Sequence, residues 1–449
     1  MTRKIVHILV GFEWVILYYF LSSSIHTVII CVVFTILLLL SYLKKMLPMM
    51  SSDSENDPGT VYYGVAMTVM ALIGYFNSDF MLAFGIGVFC TSVGDGFAGV
   101  FGSLIKKRNF KLYNGKTLVG TLSAFVFSFL SVIAFSEIFN LKIPVYYSAT
   151  IALISSGIEL ISRYGLDNIF IPIFTSVASY YIILAPASIL PYIVPIALTP
   201  YVIAAVLSKK LLTVKGVIIA VAMDVIVSVA FQNFGFVYLL SFLALSVAVD
   251  KIKKHFKNKK DEITRKGEHR DEFQVLANGL FPVIMAILYI CTGEYAFAVA
   301  YCAGLAEAFS DTCASGFGML SDKTYDVLTL KRISTGLSGG VSIVGTAASL
   351  LAAFVFPCIA LAFGVIEFSV LPLVALCAFS GNVFDSVFGS LLQAKFKCTN
   401  CGIITEKTVH CESNTVLYKG ARWISNDIVN FASTAFSSSL AAILYFLIL

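Results

Sequence analysis

Residues 26–43 read HTVIICVVFTILLLLSYL, a run without an acidic or basic side chain apart from His26, and Lys44 and Lys45 follow it. A helix of this length is about as long as the hydrocarbon core of a bilayer is thick, ~30 Å. The rest of the chain has the same character: of 449 residues, 58% are hydrophobic and 13% charged, and the mean hydropathy is +0.89. Soluble domains carry about a quarter charged residues. The sequence therefore predicts an all-α, polytopic integral membrane protein.

Comparable apolar runs recur from end to end, and we predict about 15 transmembrane helices. The approximate spans are 6–24, 26–43, 61–77, 80–104, 117–138, 145–162, 168–185, 189–207, 213–231, 235–250, 272–292, 295–317, 337–360, 369–394 and 427–449.

The basic residues predict an orientation. If Arg3 and Lys4 are inside, only Lys142 among the 31 Lys and Arg residues falls in an outer loop. Such a bias is the positive-inside pattern, so we expect the N-terminus and the motif-bearing loops to be cytoplasmic. The formal charge of +5 is explained by these membrane-flanking residues, and no nucleic-acid partner is expected. The sequence does not define an oligomeric state.

A basic, hydrophilic segment, 251–271, separates two predicted membrane modules, 1–190 and 195–449. Related motifs rich in small residues lie on both sides of it. Gly94–Gly102 precedes Gly120-Thr121 in the first module, and Ser310–Gly318 precedes Gly345-Thr346 in the second. The similarity is weak, and it makes descent from an internal repeat a possibility.

Several acids lie inside predicted spans, where an ionisable side chain is costly and is a functional candidate by default. Small Gly and Ser neighbours let a phosphate or another backbone approach closely. Carboxylates near a membrane surface also suit Mg²⁺, which prefers carboxylate, water and phosphate oxygens. The clearest cases are Asp95, Glu159, Asp224, Glu307, Asp311 and Asp385, and Glu13 is a weaker one.

Cations stand beside Gly-rich helix entries. Lys116 follows Asn114-Gly115 at a predicted helix start, where backbone N–H groups already favour an anion. Lys331-Arg332 precedes a Gly- and hydroxyl-rich turn that includes Gly336, Gly339 and Gly340. These residues predict phosphate contacts. The alternative is membrane anchoring and ordinary helix capping. The chain contains no Gly-x-x-x-x-Gly-Lys-Ser/Thr sequence, which excludes a soluble P-loop mechanism.

Cys398, Cys401, His410 and Cys411 share one predicted cytoplasmic loop, 395–426. The Cys-x-x-Cys and His-Cys pairs permit a tetrahedral Zn²⁺ site. The alternative is four reduced cytosolic side chains without a metal.

Four ordered motifs occupy residues 1–185. They are Arg3-Lys4-x-x-His7-x-x-x-Gly11, Gly94-Asp95-Gly96-x-Ala98-x-x-x-Gly102, Asn114-Gly115-Lys116-Thr117-x-x-Gly120-Thr121, and Glu159 followed by Gly165-Leu166-Asp167-Asn168 and Pro172. This pattern resembles the phytol kinase and dolichol kinase family, membrane enzymes that phosphorylate polyprenyl alcohols, typically with CTP.

A second set of motifs occupies 195–449. It consists of Arg270-Asp271-x-x-Gln274-Val275-Leu276-Ala277-Asn278-Gly279, Asp311-Thr312-x-Ala314-Ser315, Thr335-Gly336-x-x-Gly339-Gly340-Val341-Ser342, Asp385-Ser386-x-x-Gly389, and Trp423-x-x-Asn426-Asp427-x-Val429-Asn430. This set is similar to the phytyl-phosphate kinase family, whose wider membership includes transmembrane protein 19. Ser310 and Gly316 depart from the pattern and leave Asp311 in place.

Together the resemblances imply a lipid kinase that makes an isoprenyl monophosphate and then a diphosphate, with Mg²⁺, a nucleoside triphosphate such as CTP, and a membrane lipid substrate. The expected catalytic residues are Asp95, Lys116, Glu159, Asp311, Arg332, Asp385 and Asp427. The expected cofactor-binding residues are Arg3, Lys4, His7, Asn114, Gly115, Asn278, Gly336, Gly339 and Gly340, and the metal ligands are Asp95, Asp311 and Asp385. Arg270 and Lys331 are expected to add positive charge for a phosphorylated acceptor.

Two other functions fit part of the pattern. A lipid-phosphate cytidylyltransferase would use the same membrane substrate and CTP. A secondary transporter would also have many helices and weak internal sequence similarity, but its polar residues would lie at the membrane midplane. Most of the motif polarity here lies toward one face, and Asp224 is the residue that best fits transport.

Overall fold

A computed structural model describes residues 8–21, 24–44, 58–105, 110–255 and 270–448 of the chain. The chain divides into two compact units, Met1–Lys209 and Lys210–Leu449. Each unit has its own apolar core, which includes Trp14, Met67 and Phe84 in the first unit and Tyr238, Tyr301 and Phe356 in the second.

The first unit is helical throughout its described residues, apart from short turns and one hairpin. Its helices are α1 Ile8–Leu21, α2 Ile25–Leu43, α3 Gly59–Phe76, α4 Phe80–Leu104, α5 Leu118–Ile138, α6 Val145–Ile161, α7 Asp167–Leu184 and α8 Pro186–Ser208.

Helix α4 lies at the centre of the first unit, packed against α5 and α7. Its middle segment, Cys90–Asp95, is π-helical. Such bulges often mark functional positions, because the extra residue per turn redirects the side chains that follow. Gly94 fits this crowded crossing, since a Cβ there would lie 2.1 Å from the Ser128 hydroxyl of α5. The bulge ends at Asp95, one of the predicted acids.

The second unit surrounds a central helix with other helices. Its helices are α9 Val214–His255, α10 Glu272–Thr292, α11 Tyr295–Gly318, α12 Ile343–Ala362, α13 Leu371–Leu391 and α14 Asn426–Ile448. The central helix is α11, which packs against α9, α10, α12, α13 and α14. This enclosure explains how α11 can carry Glu307 and Asp311 in a membrane protein.

Helix α9 contains two of the predicted spans. Its backbone breaks at Gln232, with φ 57° and ψ −142°. Gly235 approaches Val227 so closely that a Cβ would lie 2.4 Å from the Val227 carbonyl oxygen, so the two segments pack tightly beside the break. The predicted separation of 213–231 from 235–250 is therefore confirmed. The second segment continues to His255, into the stretch predicted to be a loop, and 256–269 lies outside the described residues.

Small strands occur in two loops of the second unit. Strand β1, Tyr325–Asp326, pairs antiparallel with β2, Gly340–Val341. The remaining strands lie between α13 and α14 and are β3 Lys395–Lys397, β4 Ile404–Thr405, β5 Val409–His410, β6 Ser413–Asn414 and β7 Val416–Lys419. They form a sheet of order β4-β3-β7 and a β5-β6 hairpin. We call residues 395–419 the ribbon.

One predicted span begins too early. The prediction 337–360 included the Gly-rich turn, but α12 begins at Ile343. Gly336 and Gly339 have φ values of 96° and 77°, which a helix cannot accommodate. The turn is therefore a loop that leads into the helix.

Within the described residues, eleven helices are long and apolar enough to cross a membrane, and Ile8–Leu21 and Val145–Ile161 are shorter apolar helices. Large apolar side chains on the outer surface, such as Leu37 and Leu40 of α2, are exposed in the isolated chain. This is the pattern expected of lipid-facing helices, and the predicted all-α, polytopic fold is confirmed.

Candidate functional site

A polar cleft in the first unit brings together residues from four helices. Asp95 comes from the end of the π-helical segment, Lys116 precedes α5, Glu159 ends α6, and Asp167 begins α7. Gly and small residues complete its wall, namely Gly96, Ala98, Gly99, Gly102, Ser103, Gly115, Thr117, Gly120, Gly165 and Asn168. The three residues predicted to be catalytic in this module therefore line one cavity.

Lys116 is the centre of this first cleft. Its Nζ donates to Glu159 Oε1 at 2.6 Å and to Asp167 Oδ2 at 3.3 Å. The Lys116 side chain is 26% exposed, whereas Glu159 is only 5% exposed, so the pair is largely shielded from solvent. Burial by itself lowers the pKa of Lys116. The carboxylates of Glu159 and Asp167, and more weakly Asp95, outweigh burial and raise that pKa above its ordinary value.

A tight hairpin delivers Lys116 to the cleft. Lys116 N donates to the Tyr113 carbonyl at 2.9 Å, and the two central residues, Asn114 and Gly115, both have positive φ. An Asn-Gly pair in this conformation is the preferred two-residue hairpin turn. The Asn114 side chain donates to the Ile161 carbonyl at 3.1 Å, so it ties the hairpin to the end of α6. Asn114 does not line the cleft, whereas Gly115 does.

The capped start of α5 lies at the cleft. Thr117 caps the helix, because its hydroxyl accepts from Gly120 N at 3.2 Å. A Cβ on Gly120 would lie 3.4 Å from the Ala98 carbonyl oxygen, so α4 and α5 approach closely here. The positive end of the helix dipole, beside a lysine, favours an anion such as phosphate.

A second polar cleft lies in the second unit. Asp311 of α11 and Asp385 of α13 line it, with the turn Thr335–Gly340 and Lys253 of α9. Other lining residues are Ala314, Ser315, Gly318, Thr324, Ser342, Gly345, Asn382, Ser386, Glu406 and Asn426. Glu307 is buried within electrostatic reach of Asp385 and Asp311, so three acids converge at this end of the central helix.

The Gly-rich turn is held on both sides. A Cβ on Gly339 would lie 2.4 Å from Ser390 Cβ and 2.5 Å from Ser390 Cα, so only glycine fits against α13. On the other side, Glu406 of the ribbon accepts from Ser338 N at 3.0 Å and from the Ser338 hydroxyl. The turn is therefore positioned by a helix and by the ribbon together.

Asp326 anchors the loop that precedes this turn. Its Oδ1 accepts from Thr329 N at 2.9 Å and from Leu328 N at 3.2 Å, and its Oδ2 accepts from Ser390 Oγ at 2.6 Å. Burial raises the pKa of the Asp326 carboxyl, but these hydrogen bonds to the charged form outweigh it and lower the pKa to about 2. The carboxylate is thus a fixed acceptor that joins the β1 loop to α13.

The two clefts share one arrangement, which we call the shared frame: an acid, an alanine and a glycine on one helix approach the capped start of the next helix. Asp95, Ala98 and Gly102 occur at the same spacing as Asp311, Ala314 and Gly318. In the next helix Ser342 Oγ accepts from Gly345 N at 3.1 Å, as Thr117 does from Gly120. Likewise a Cβ on Gly345 would lie 2.9 Å from the Ala314 carbonyl oxygen, the counterpart of the Gly120 and Ala98 approach. These matching contacts support an internal repeat. Val341 stands at the position that corresponds to Lys116.

Several predicted residues lie away from the clefts. Arg332 is exposed, its Nη2 donates to the Asp322 carbonyl at 3.0 Å, and it does not line the second cleft. Lys331 is exposed in the same loop. Arg270 Nη2 lies 2.9 Å from Asp250 Oδ2. Arg3, Lys4 and His7 lie outside the described residues.

Two more predicted residues belong to α10 and α14. Asn278 accepts from Asn430 Nδ2 at 3.3 Å, and Asn430 in turn accepts from Asn426 Nδ2 at 3.2 Å. Because Asn426 lines the second cleft, this chain of amides connects Asn278 to it indirectly. Asp427 is half-buried at the start of α14 and does not line the cleft.

Sequence reasoning did not assign roles to Asp167, Lys253, Asp326 or Glu406. Asp167 belongs to a quoted motif, and its place in the first turn of a helix is a signal that could have been used. Lys253 was assigned to a loop. Asp326 and Glu406 lie in loops, where a single acid has no distinguishing pattern.

The predicted metal-binding residues of the ribbon converge. The ligand atoms of Cys398, Cys401, His410 and Cys411 all lie within 4.8 Å of one another. Among the described residues this is the one group of His, Cys, Asp or Glu side chains close enough to hold a metal ion by that measure.

Apolar helices around two acid-lined clefts define a multi-pass integral membrane protein with a repeated polar site. Residues 197–438 match the family described as integral membrane protein DUF92. The chain belongs to this family.

Individual relatives are also similar to it. A protein named phytol kinase from Synechocystis sp. is 31% identical over 176 residues, which is 38% of this chain and 75% of that protein. An uncharacterized membrane protein of Methanocaldococcus jannaschii is 36% identical over 171 residues, 36% of this chain and 67% of that protein. Protein VTE6, chloroplastic, of Arabidopsis thaliana is 24% identical over 239 residues, 52% of this chain and 65% of that protein. No solved structure matches the chain significantly.

Proposed function

We propose that the protein is a membrane kinase that phosphorylates a long-chain isoprenoid alcohol to the monophosphate in the first cleft, and the monophosphate to the diphosphate in the second. The observation that carries the proposal is the largely buried Lys116, held by Glu159 and Asp167 beside a helix entry, in a chain similar to a protein named phytol kinase. We further propose CTP as the phosphoryl donor and a cytoplasmic location for both clefts.

In the first step, the alcohol oxygen would form a bond to the γ-phosphorus of the nucleotide, the bond from that phosphorus to the β,γ-bridging oxygen would break, and the hydroxyl would lose its proton. Phosphoryl transfer depends mainly on positioning and on neutralising crowded oxygens. Lys116 and the positive end of the α5 dipole supply positive potential for the phosphates. Glu159 and Asp167 orient Lys116, since both accept from its ammonium.

The carboxylates fit a divalent cation. Asp95 lines the first cleft, and Asp311 and Asp385 line the second. Oxygen donors of this kind suit Mg²⁺, and an ion held by these carboxylates would neutralise charge on the nucleotide phosphates. Asp311 and Asp385 come from neighbouring helices, and Asn382 adds an amide oxygen.

In the second cleft the acceptor already carries a phosphate. The Gly-rich turn at 335–340 lines this cleft, where glycine lets a phosphate approach the backbone closely, and Lys253 supplies a positive charge on the lining. We therefore replace the predicted role of Arg332 with Lys253, because Arg332 lies outside this cleft.

The decisive experiment uses purified protein in lipid nanodiscs with Mg²⁺ and, in parallel reactions, geranylgeraniol or phytol and the corresponding lipid monophosphate. CTP is labelled in parallel at the γ- or the α-phosphate. We expect label from γ-labelled CTP in the lipid monophosphate and then the diphosphate, and none from α-labelled CTP. Lipid labelled from the α-phosphate would instead identify a cytidylyltransferase, and no labelled lipid with any nucleoside triphosphate would contradict both.

Matched variants control this assay. Asp95→Asn removes a carboxylate from the first cleft, and Asp79→Asn removes an exposed carboxylate just before the same helix. We expect Asp95→Asn to reduce alcohol phosphorylation by about 10²–10³, the scale seen when a preorganised electrostatic group is lost. Asp79→Asn is expected to retain activity.

A further inference from the structure

The ribbon carries a group of four metal-ligating side chains that belongs to neither cleft. Cys401 Sγ and Cys411 Sγ lie 3.4 Å and 3.2 Å from His410 Nδ1. Cys398 completes the group, and all four ligand atoms lie within 4.8 Å of one another. In a tetrahedral zinc site with Zn–S of ~2.3 Å and Zn–N of ~2.0 Å, neighbouring ligand atoms are separated by about 3.5–3.8 Å. The observed spacings bracket that range.

The backbone is shaped to aim these side chains inward. Cys398 and Cys401 enclose a turn in which Gly402 N donates to the Cys398 carbonyl at 3.0 Å, and Gly402 has a φ of 72°. His410 and Cys411 are adjacent in sequence. Cys411 has a φ of 51°, an uncommon value for a residue with a side chain, and this turn places both groups on the same side.

The ribbon has only a small core of its own, in which Phe396 is a buried apolar side chain. Strands β4, β5 and β6 each contain two residues. Short strands with few buried apolar side chains cannot supply a large core, and small domains of this kind rely on metals or cross-links. Without an ion the ribbon would be held by its short strands and by the hydrogen bonds from Ser338 to Glu406.

The ribbon reaches the second cleft. Thr405 of β4 pairs with Phe396 of β3, and Cys398 follows β3. Glu406 comes directly after Thr405 and accepts two hydrogen bonds from Ser338 in the Gly-rich turn. The short strand β4 therefore connects the Cys398–Cys401 turn to Glu406, which contacts the Gly-rich turn of the second cleft.

We propose that Cys398, Cys401, His410 and Cys411 bind one structural Zn²⁺ ion, which orders the ribbon and so holds Glu406 against the turn that walls the second cleft. The four side chains fill the tetrahedral shell, which suits a structural rather than a catalytic zinc ion. The role of the second cleft rests on the proposed function. The zinc site does not, because zinc is measured without a kinase assay.

The test measures metal in the purified full chain by mass spectrometry. We expect about one zinc per chain, as a closed four-ligand site requires. Cys401→Ser and Cys411→Ser should lose zinc, whereas Cys291→Ser, which removes an exposed cysteine of α10, should retain it. An absence of zinc from the unmodified protein, iron in its place, or full retention in both ribbon variants would overturn the proposal.

A second measurement avoids variants that fail to fold. Titration of the unmodified protein with a mercurial thiol reagent should release zinc, which a chromophoric chelator detects, and hydrogen exchange should then rise in both 395–419 and 335–340. Release without faster exchange at 335–340 would refute the link to the cleft. If zinc and exchange behave as expected but no lipid is phosphorylated, the metal site stands and the proposed function fails.

Discussion

Replacing Lys116 with Met is the sharpest test of the first cleft. The substitution keeps most of the side-chain volume and removes the charge that contacts Glu159 at 2.6 Å and Asp167 at 3.3 Å. We expect alcohol phosphorylation to fall by about 10²–10³, which corresponds to about 3–4 kcal/mol of lost transition-state stabilisation. Phosphorylation of the added monophosphate should be unchanged, because the proposed function assigns that step to the second cleft.

The same substitution should also affect stability. Removing one partner of a buried ion pair costs about 3–5 kcal/mol, because a buried charge is left uncompensated. We expect the lower end, since Lys116 is 26% exposed and Asp167 16%. Adding Glu159→Gln to Lys116→Met removes the more deeply buried of the two stranded carboxylates, so the double variant should regain part of its thermal stability in detergent while remaining inactive.

Lys111→Met is the matched control, since Lys111 is an exposed lysine in the same hairpin and pairs with Thr117 only through its backbone. It should keep wild-type activity and melting temperature. A Lys116→Met protein that phosphorylates the alcohol within a fewfold of the wild-type rate would refute the catalytic reasoning and leave Lys116 as a membrane anchor. An inactive double variant with restored stability would show that inactivity is not caused by unfolding.

Three further predictions concern the second cleft. Asp311→Asn should slow monophosphate conversion by about 10²–10³ and leave alcohol phosphorylation intact, and equal loss of both steps in a folded protein would rule out separate sites. Lys253→Met should raise the KM for the monophosphate, because Lys253 lines the cleft. Arg332→Ala should change neither KM nor kcat by more than a fewfold, because Arg332 lies outside it. A larger effect on KM from Arg332→Ala than from Lys253→Met would contradict the structure. Gly339→Ala should strongly reduce phosphorylation of the monophosphate, because the new Cβ would lie 2.4 Å from Ser390 Cβ. Gly364 has a similar positive φ but open space around it, so Gly364→Ala should lower the free energy of unfolding by only about 1 kcal/mol in melting experiments.

Much of the first cleft could be predicted from the sequence because its residues stand out against an apolar background. Asp95 and Glu159 interrupt helices that otherwise suit the bilayer, and Asn114-Gly115 defines a hairpin by local conformation alone. Lys116 is indicated by its place between this turn and a predicted helix start. Such features depend on neighbours in sequence, so tertiary packing was not needed to find them.

The second cleft was harder to predict because its loops are positioned by distant residues. Arg332 follows Lys331 before a Gly-rich turn, which is typical of a phosphate contact, yet the pairing of β1 with β2 leaves it exposed. Lys253 belongs to the cleft only because α9 continues to His255. Glu406 reaches Ser338 from the ribbon, and no local pattern indicates such a contact.

The proposed function assigns different acceptors to the two clefts, so the difference between them must lie outside the features that they share. In both units a helix acid faces a capped helix start, and the two helices approach through Gly and Ala. What differs is the loop before the cap. In the first unit a short hairpin ends in Lys116, which has two carboxylates as partners.

In the second unit the corresponding residue is Val341, so that lysine is absent and the longer loop brings the Gly-rich turn instead. Backbone N–H groups can approach a phosphate from several directions, whereas a single ammonium is a compact charge at one point. A bulkier acceptor that already carries a phosphate needs contacts distributed over more oxygens. We therefore infer that the loop before the helix cap determines which acceptor each cleft binds, and that the acids on the shared frame serve the step common to both.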